Sequence, residues 1–185
     1  MAAKIGILPI GQVDSAILFM LKEKLVQVFP DTTCVVVDAQ LALPEKAFEK
    51  KRKQYRSDAI LSKIQAYAAK RKGLRSVLGV VDADIFVPEL NFVFGEAACP
   101  GKAAVISLWR LKPEFYGDSD DAKLFAARAL KEAVHELGHT LGLKHCQLSS
   151  CVMYFSNSIF DTDRKQSLFC NECYMQAALR INNLG

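Results

Sequence analysis

The stretch His135-Glu136-Leu137-Gly138-His139-Thr140-Leu141-Gly142-Leu143-Lys144-His145 contains all three histidines of a 185-residue chain. On a helix, His135 and His139 stand one turn apart and project from the same face, so two imidazoles converge on one ion without bending the backbone. Glu136 then sits beside the metal and not on it. Gly142, three residues past the second histidine, can take the positive φ that ends a helix, which turns the chain and brings His145 back as a third ligand. Three protein ligands leave a fourth position open to water, and that separates a catalytic zinc from a structural one. The bland alternative, histidines of an ordinary amphipathic helix, requires five scarce residues to fall at five fixed positions by coincidence.

Cys146 follows His145 directly, and Cys151, Met153, Cys170 and Cys173 come after it, giving the spacing HExxHxxGxxHC-x4-CxM, then sixteen residues, then CxxC. Clustered cysteines in a chain with no secretory leader point to reduced thiols that bind metal. Four thiolates make a closed tetrahedral site with no position left for turnover. A pair of disulfides, an iron–sulfur cluster and a redox-active Cys170–Cys173 pair compete with this reading. None of the three explains a cysteine directly after the third histidine. Cys34 and Cys99 stand outside the cluster, and Cys34 reads as a small apolar residue in a strand.

The extended histidine motif with a methionine a few residues on resembles the metzincin clan of zinc peptidases. With its interleaved cysteines it resembles the archaemetzincin family in particular. The likeness extends upstream through Asn91–Glu96 and Leu111–Gly117. It implies that His135, His139 and His145 hold a catalytic zinc and that Glu136 is the general base. It also implies that Met153 forms the turn beneath the site and that Cys146, Cys151, Cys170 and Cys173 hold a second, structural zinc, for two zinc ions per chain.

At 51% hydrophobic residues, 185 residues can bury one sizeable core or two lobes flanking a cleft. The expected organisation is one catalytic domain, with residues 1–142 as an upper part and 143–185 as a lower part. No run of eighteen apolar residues occurs, and the start of the chain lacks the apolar stretch and cleavage site of a signal peptide. A cytoplasmic, monomeric protein is expected, with no membrane partner. The chain opens almost on its first strand, so latency through a blocking pro-segment is not expected. The net charge of +4 gives no reason to invoke nucleic acid. Basic residues bunch at Lys46–Arg56 and Lys70–Arg75 without aromatic alternation, which reads as a solvated helix or loop face.

Lys4–Leu8 reads as a strand stopped by Pro9, Val13–Phe29 as a helix and Thr33–Val37 as a strand, together a βαβ unit with parallel strands. Residues 56–72 read as a second helix capped by Ser57 or Asp58, and Arg75–Val87 as a third strand and its exit. Asp82 and Asp84, near that strand's end, read as turn or hydrogen-bonding residues and not as a catalytic pair. Phe92–Glu96 and Ala103–Trp109 are further strands, the former the antiparallel edge that the resemblance implies. Asp118–Asp121 supplies cap oxygens for the long helix carrying His135 and His139. Asp161–Asn183 reads as one closing helix. The fold class expected is α/β (α+β): a mainly parallel twisted sheet with an antiparallel edge strand, packed by helices.

A zinc held by three neutral imidazoles keeps its charge, polarises a carbonyl and acidifies water, while Glu136 is placed to take the proton and return it to the leaving amine. An exposed strand edge beside the metal can hold an extended peptide by strand addition. The expected activity is therefore peptide-bond hydrolysis on a peptide or protein substrate, with aminopeptidase action as one form of it. A zinc-stabilised peptide-binding protein without turnover and a zinc amidase on a nonpeptide substrate are the rival readings.

Overall fold

Three parallel strand pairings and one antiparallel pairing build the main sheet of the computed structural model, which describes residues 3–182. In chain order the strands and helices begin with β1 (Ala3–Ile10), α1 (Ser15–Val28), β2 (Thr32–Val36), β3 (Phe48–Glu49), β4 (Gln54–Arg56) and α2 (Ser57–Ala69). There follow β5 (Ser76–Val81), β6 (Ile85–Phe86), β7 (Gly95–Ala97), β8 (Ala103–Ser107), α3 (Ala122–Thr140), α4 (Ile159–Arg164) and α5 (Asn171–Asn182). The five-stranded sheet has the order β2-β1-β5-β8-β7, and only β7 runs antiparallel to its neighbour. This is the mixed, mainly parallel α/β class expected.

Period-two alternation in the strands divides the core between the two sheet faces. Ile5, Ile7, Leu78, Val80, Ala104 and Ile106 face α1 and α3, whereas Leu8, Ile10, Val77, Val81 and Val105 face α2. α1 is capped by Asp14, whose carboxylate accepts from the Ala16 N–H at 2.9 Å, and it buries Ile17, Leu18, Leu21, Leu25 and Val28. Among the described residues no helix is long and apolar enough to cross a membrane.

Several boundaries differ from the sequence reading, each for a local reason. β1 runs through Pro9 to Ile10, because β2 pairs with it only as far as Ile7 and the missing proline N–H therefore costs that ladder nothing. The Pro9 carbonyl still accepts from Leu41 N–H at 3.1 Å. α2 has Arg56 and not Ser57 or Asp58 at its cap position, since β4 feeds straight into the helix and the buried Ser57 hydroxyl donates to Phe86 O at 3.1 Å. The edge strand is shorter than Phe92–Glu96: Val93 N–H turns away to Ile85 O at 3.0 Å, leaving Gly95–Ala97 on the ladder. The basic stretch forms the β3–β4 hairpin, which joins β6 in a second, three-stranded sheet, while Lys50, Lys51 and Lys53 are exposed as expected.

In place of one closing helix there are two, Ile159–Arg164 and Asn171–Asn182, and Asn183 lies outside the described residues. The break falls where Lys165 turns inward to Glu132, and Asp161 completes a capping box with Ser158 instead of opening a long helix. Asp82 and Asp84 are structural, as read. Asp82 holds Lys112 at 2.7 Å, and Asp84 receives the Arg110 guanidinium on both oxygens at 2.8 Å each.

Candidate metal centre

α3 sets the site, and its own start is fixed first. Of the Asp118–Asp121 cluster it is Asp121 that caps, accepting from Lys123 N–H at 3.0 Å and Leu124 N–H at 2.9 Å. Arg128 then grips both Asp163 oxygens, at 2.8 and 2.7 Å, and Lys131 donates to the Thr162 and Asp163 carbonyls at 3.0 Å each, tying α3 to α4. Ala129, Ala133, Val134 and Leu137 bury the core face. The helix is thus held from both sides before its ligands emerge.

His135 and His139 project together, as the i, i+4 spacing requires. His135 Nδ1 lies 2.8 Å from Val152 O, and His139 Nδ1 lies 2.8 Å from Leu143 O. A carbonyl can only accept, so each Nδ1 carries the proton and each Nε2 is left with a lone pair. Those two Nε2 atoms face each other at 3.2 Å. Two facing lone pairs repel unless a cation lies between them, so the donor set fits a metal held through Nε2, with carbonyls orienting both rings from behind. Burial holds all three histidines below the usual imidazole range, His135 well below it, which keeps them in the neutral form a metal requires.

Gly142 takes φ +85° just past the end of α3, and Leu143 N–H bonds back to Gly138 O at 3.2 Å. Arg180 fills the space where a Gly142 side chain would point and donates to Leu141 O at 2.9 Å. The chain therefore returns, and His145 stacks on His135 with centroids 5.4 Å apart and rests against Phe155 at 4.8 Å. One donor atom from each histidine lies within 4.8 Å of the others. Met153 is fully buried beneath α3, and a Cβ on Gly138 would stand 2.5 Å from its sulfur.

Glu136 is buried at 5% exposure and adjoins the histidine cleft. Burial, reinforced by the Glu132 carboxylate, pushes its own carboxyl well above the usual range, with the Lys165 ammonium opposing. β7 closes over it so tightly that a Cβ on Gly95 would meet Glu136 Oε1 at 2.6 Å. A cleft of about 360 Å³ runs between this edge and the three histidines.

Cys146, Cys151, Cys170 and Cys173 form the second group, with all four sulfurs within 4.8 Å of one another. The Cys146 and Cys170 sulfurs are 3.9 Å apart, against about 3.8 Å for the edge of a tetrahedron with 2.3 Å zinc–sulfur bonds. Backbone N–H groups of Leu148 and Cys170 point at Cys146 Sγ and Cys151 Sγ, at 3.4 and 3.3 Å, as they would at thiolates. All six cysteines are free, so no disulfide competes. Cys34 is partly buried in β2, and burial pushes its thiol up to about 11.

Of the residues singled out from the sequence, the three histidines and the four cysteines form these two groups, Glu136 adjoins the first and Met153 lies beneath it. Three others were missed. Glu132, one turn before Glu136, forms a buried ion pair with Lys165 at 3.0 Å, and Gly95 admits Glu136 under the edge. Only the i, i+4 spacing of Glu132 and Glu136 could have signalled the first.

A mainly parallel sheet, an antiparallel edge and a methionine turn under the HExxH helix frame a metzincin-type metallopeptidase. The model of "Peptidase family M54" matches residues 11–178, and the chain belongs to that family, the archaemetzincins. It is 44% identical over 173 residues to the archaemetzincin of Methanocaldococcus jannaschii, covering 94% of this chain and 92% of the relative. It is 42% identical over 176 residues to that of Pyrococcus abyssi, covering 94% and 93%. The archaemetzincin crystal structure from Methanopyrus kandleri matches with a TM-score of 0.81 at 34% identity, covering 97% of this chain and 96% of that one. The one from Archaeoglobus fulgidus, complexed with malonate, matches at 0.78 and 39%, covering 94% and 99%. The chain is an enzyme of the zinc metallopeptidase class, and its substrate is peptide or protein.

Proposed function

We propose that this chain hydrolyses peptide bonds with a zinc held by His135, His139 and His145 and with Glu136 as general base. A second, structural zinc is held by Cys146, Cys151, Cys170 and Cys173. The observation that carries the reading is the pair of Nε2 atoms at 3.2 Å, each ring oriented by a carbonyl behind it, beside a buried carboxylate. When bound, the catalytic zinc supplies Lewis acidity toward a carbonyl and toward water.

The chain's own groups do the rest. The free edge of β7 offers backbone N–H and C=O groups to an extended peptide and lays it along the cleft. Glu136 takes a proton from the attacking water at its carboxylate and delivers it to the departing amine. Glu136 stands buried against the histidine cleft, where both proton transfers take place. Met153 and the four-cysteine site fix the chain after His145, so residues 1–142 and 143–185 act as the two walls of one catalytic domain. The same chemistry serves amino-terminal trimming as well as internal cutting, and the protein acts as a cytoplasmic monomer.

The test is metal stoichiometry followed by digestion of a diverse peptide library read by mass spectrometry. Two zinc per chain, one removed by a mild chelator together with peptide cleavage, is the expected result, and the positions of the cuts separate trimming from internal cleavage. Two zinc with no cleavage of any peptide would replace this reading with a binding role. Cleavage of small amides alone would make the protein an amidase.

A further inference from the structure

A cavity beside His135 and Glu136 has a polar floor that the proposed hydrolysis does not use. Its volume is about 190 Å³, below the roughly 300–1,000 Å³ of pockets that enclose whole small molecules, so it suits one side chain. Leu90, Phe92, Phe94 and Phe155 give it apolar walls. Glu132 also lines it, although the Glu132 side chain is only 3% exposed. Thr162 Oγ1 donates to Glu132 Oε1 at 3.0 Å, and Lys165 Nζ, with no exposure at all, stands 3.0 Å from the same oxygen. Both partners engage Oε1, and Oε2 takes no donor among the described residues. The hydroxyl of Ser156, another lining residue, is buried and has no partner among the described residues.

An ion pair with a purely structural role has no need to front a cavity next to the reacting centre. We propose that Glu132 is a specificity-determining residue, accepting a hydrogen bond from the tip of a substrate side chain that enters this cavity, and that it selects a large apolar side chain ending in a neutral donor, tyrosine foremost. The proposal rests on the peptidase reading of the neighbouring histidines. An aromatic body matches the walls, and a phenolic O–H at its end is the donor that Glu132 Oε2 lacks. A lysine or arginine tip is disfavoured because Lys165 already balances Glu132, so a second buried cation would go uncompensated. An acidic tip meets both Glu132 and Glu136. Phenylalanine fills the volume but leaves two desolvated polar groups unpaired, which is how a hydroxyl-reading site rejects the analogue that lacks it.

The experiment compares two peptide hydroxamates, identical except for tyrosine or phenylalanine next to the chelating group, binding to zinc-loaded protein by calorimetry. Binding needs no turnover, so the result stands apart from the peptidase assay. A preference for tyrosine of roughly 10- to 100-fold is expected, the worth of one hydrogen bond to a charged group. In the double variant Glu132→Leu/Lys165→Met, which removes both charges together, the ratio should fall to about one. Equal binding of the two compounds to the unaltered protein would overturn the proposal without touching the peptidase reading. So would a tyrosine preference that survives in the double variant. A preference for tyrosine in a protein that cleaves no peptide would sink the peptidase reading and leave the assignment of Glu132 standing.

Discussion

Gly138, between the two helix histidines, sits directly over the sulfur of Met153: a Cβ there would stand 2.5 Å from Sδ and 3.2 Å from Cε. The turn after His145 can pass close beneath α3 only because this position has no side chain. Gly138→Ala should therefore lower stability by about 1–3 kcal/mol through overpacking. At this chain length each kcal/mol is roughly 2–4 °C of melting temperature. Gly73→Ala, where a Cβ meets nothing within 4 Å, is the control and should melt like the parent. Calorimetry of the two variants decides it, and equal melting of both would remove the packing argument.

Gly95 plays the same part on the other side. A side chain there would collide with Glu136 Oε1 at 2.6 Å and with the Val105 carbonyl at 2.7 Å, so Gly95→Ala should displace the carboxylate or lift the edge strand. Misplacing a reacting group by about 1 Å costs on the order of 100-fold in rate. The expected variant keeps its zinc and loses kcat/KM by that order. Parental kinetics would mean that Glu136 has room to spare.

Lys165 and Glu132 form a buried pair with side chains at 0% and 3% exposure. Removing one charge leaves the other uncompensated, so Lys165→Met alone should cost about 3–5 kcal/mol, whereas Glu132→Leu/Lys165→Met together should cost far less. Chemical denaturation of the three proteins measures the difference. Equal destabilisation by the single and double changes would show that packing, and not charge, is what the pair supplies.

The four sulfurs lie within 4.8 Å of one another, and two of them belong to the segment that follows α4. Cys173→Ser should reduce metal content from two zinc per chain to one and lower the melting temperature, since structural metal binding is coupled to folding. Elemental analysis of the purified variant gives the count. Two zinc retained would mean that the cysteine site does not hold one.

The candidate metal donors are legible in the sequence because their geometry is local. An i, i+4 pair, a glycine that takes φ +85° and a histidine three residues later are short-range instructions, and α3 executes them. The main sheet was legible for a similar reason, since its central strands are continuous apolar runs buried on both faces. What escaped notice depends on contacts between distant segments. Nothing near Lys165 announces that it will bury its ammonium against Glu132, and nothing near Gly95 announces Glu136 beneath it. β3 and β4 are two and three residues long, too short to show a period. The single closing helix was misread because the helical pattern continues across Lys165, where the pull of a buried partner overrides it.

If Glu136 moves the proton in a zinc-dependent hydrolysis, peptide cleavage by zinc-loaded parent and Glu136→Gln protein at matched metal content will report it. The isosteric amide keeps the shape of the site and removes the base. Unchanged zinc content and a rate lower by about 10²- to 10⁴-fold are expected. Cleavage by the variant at the parental rate would contradict that role of Glu136.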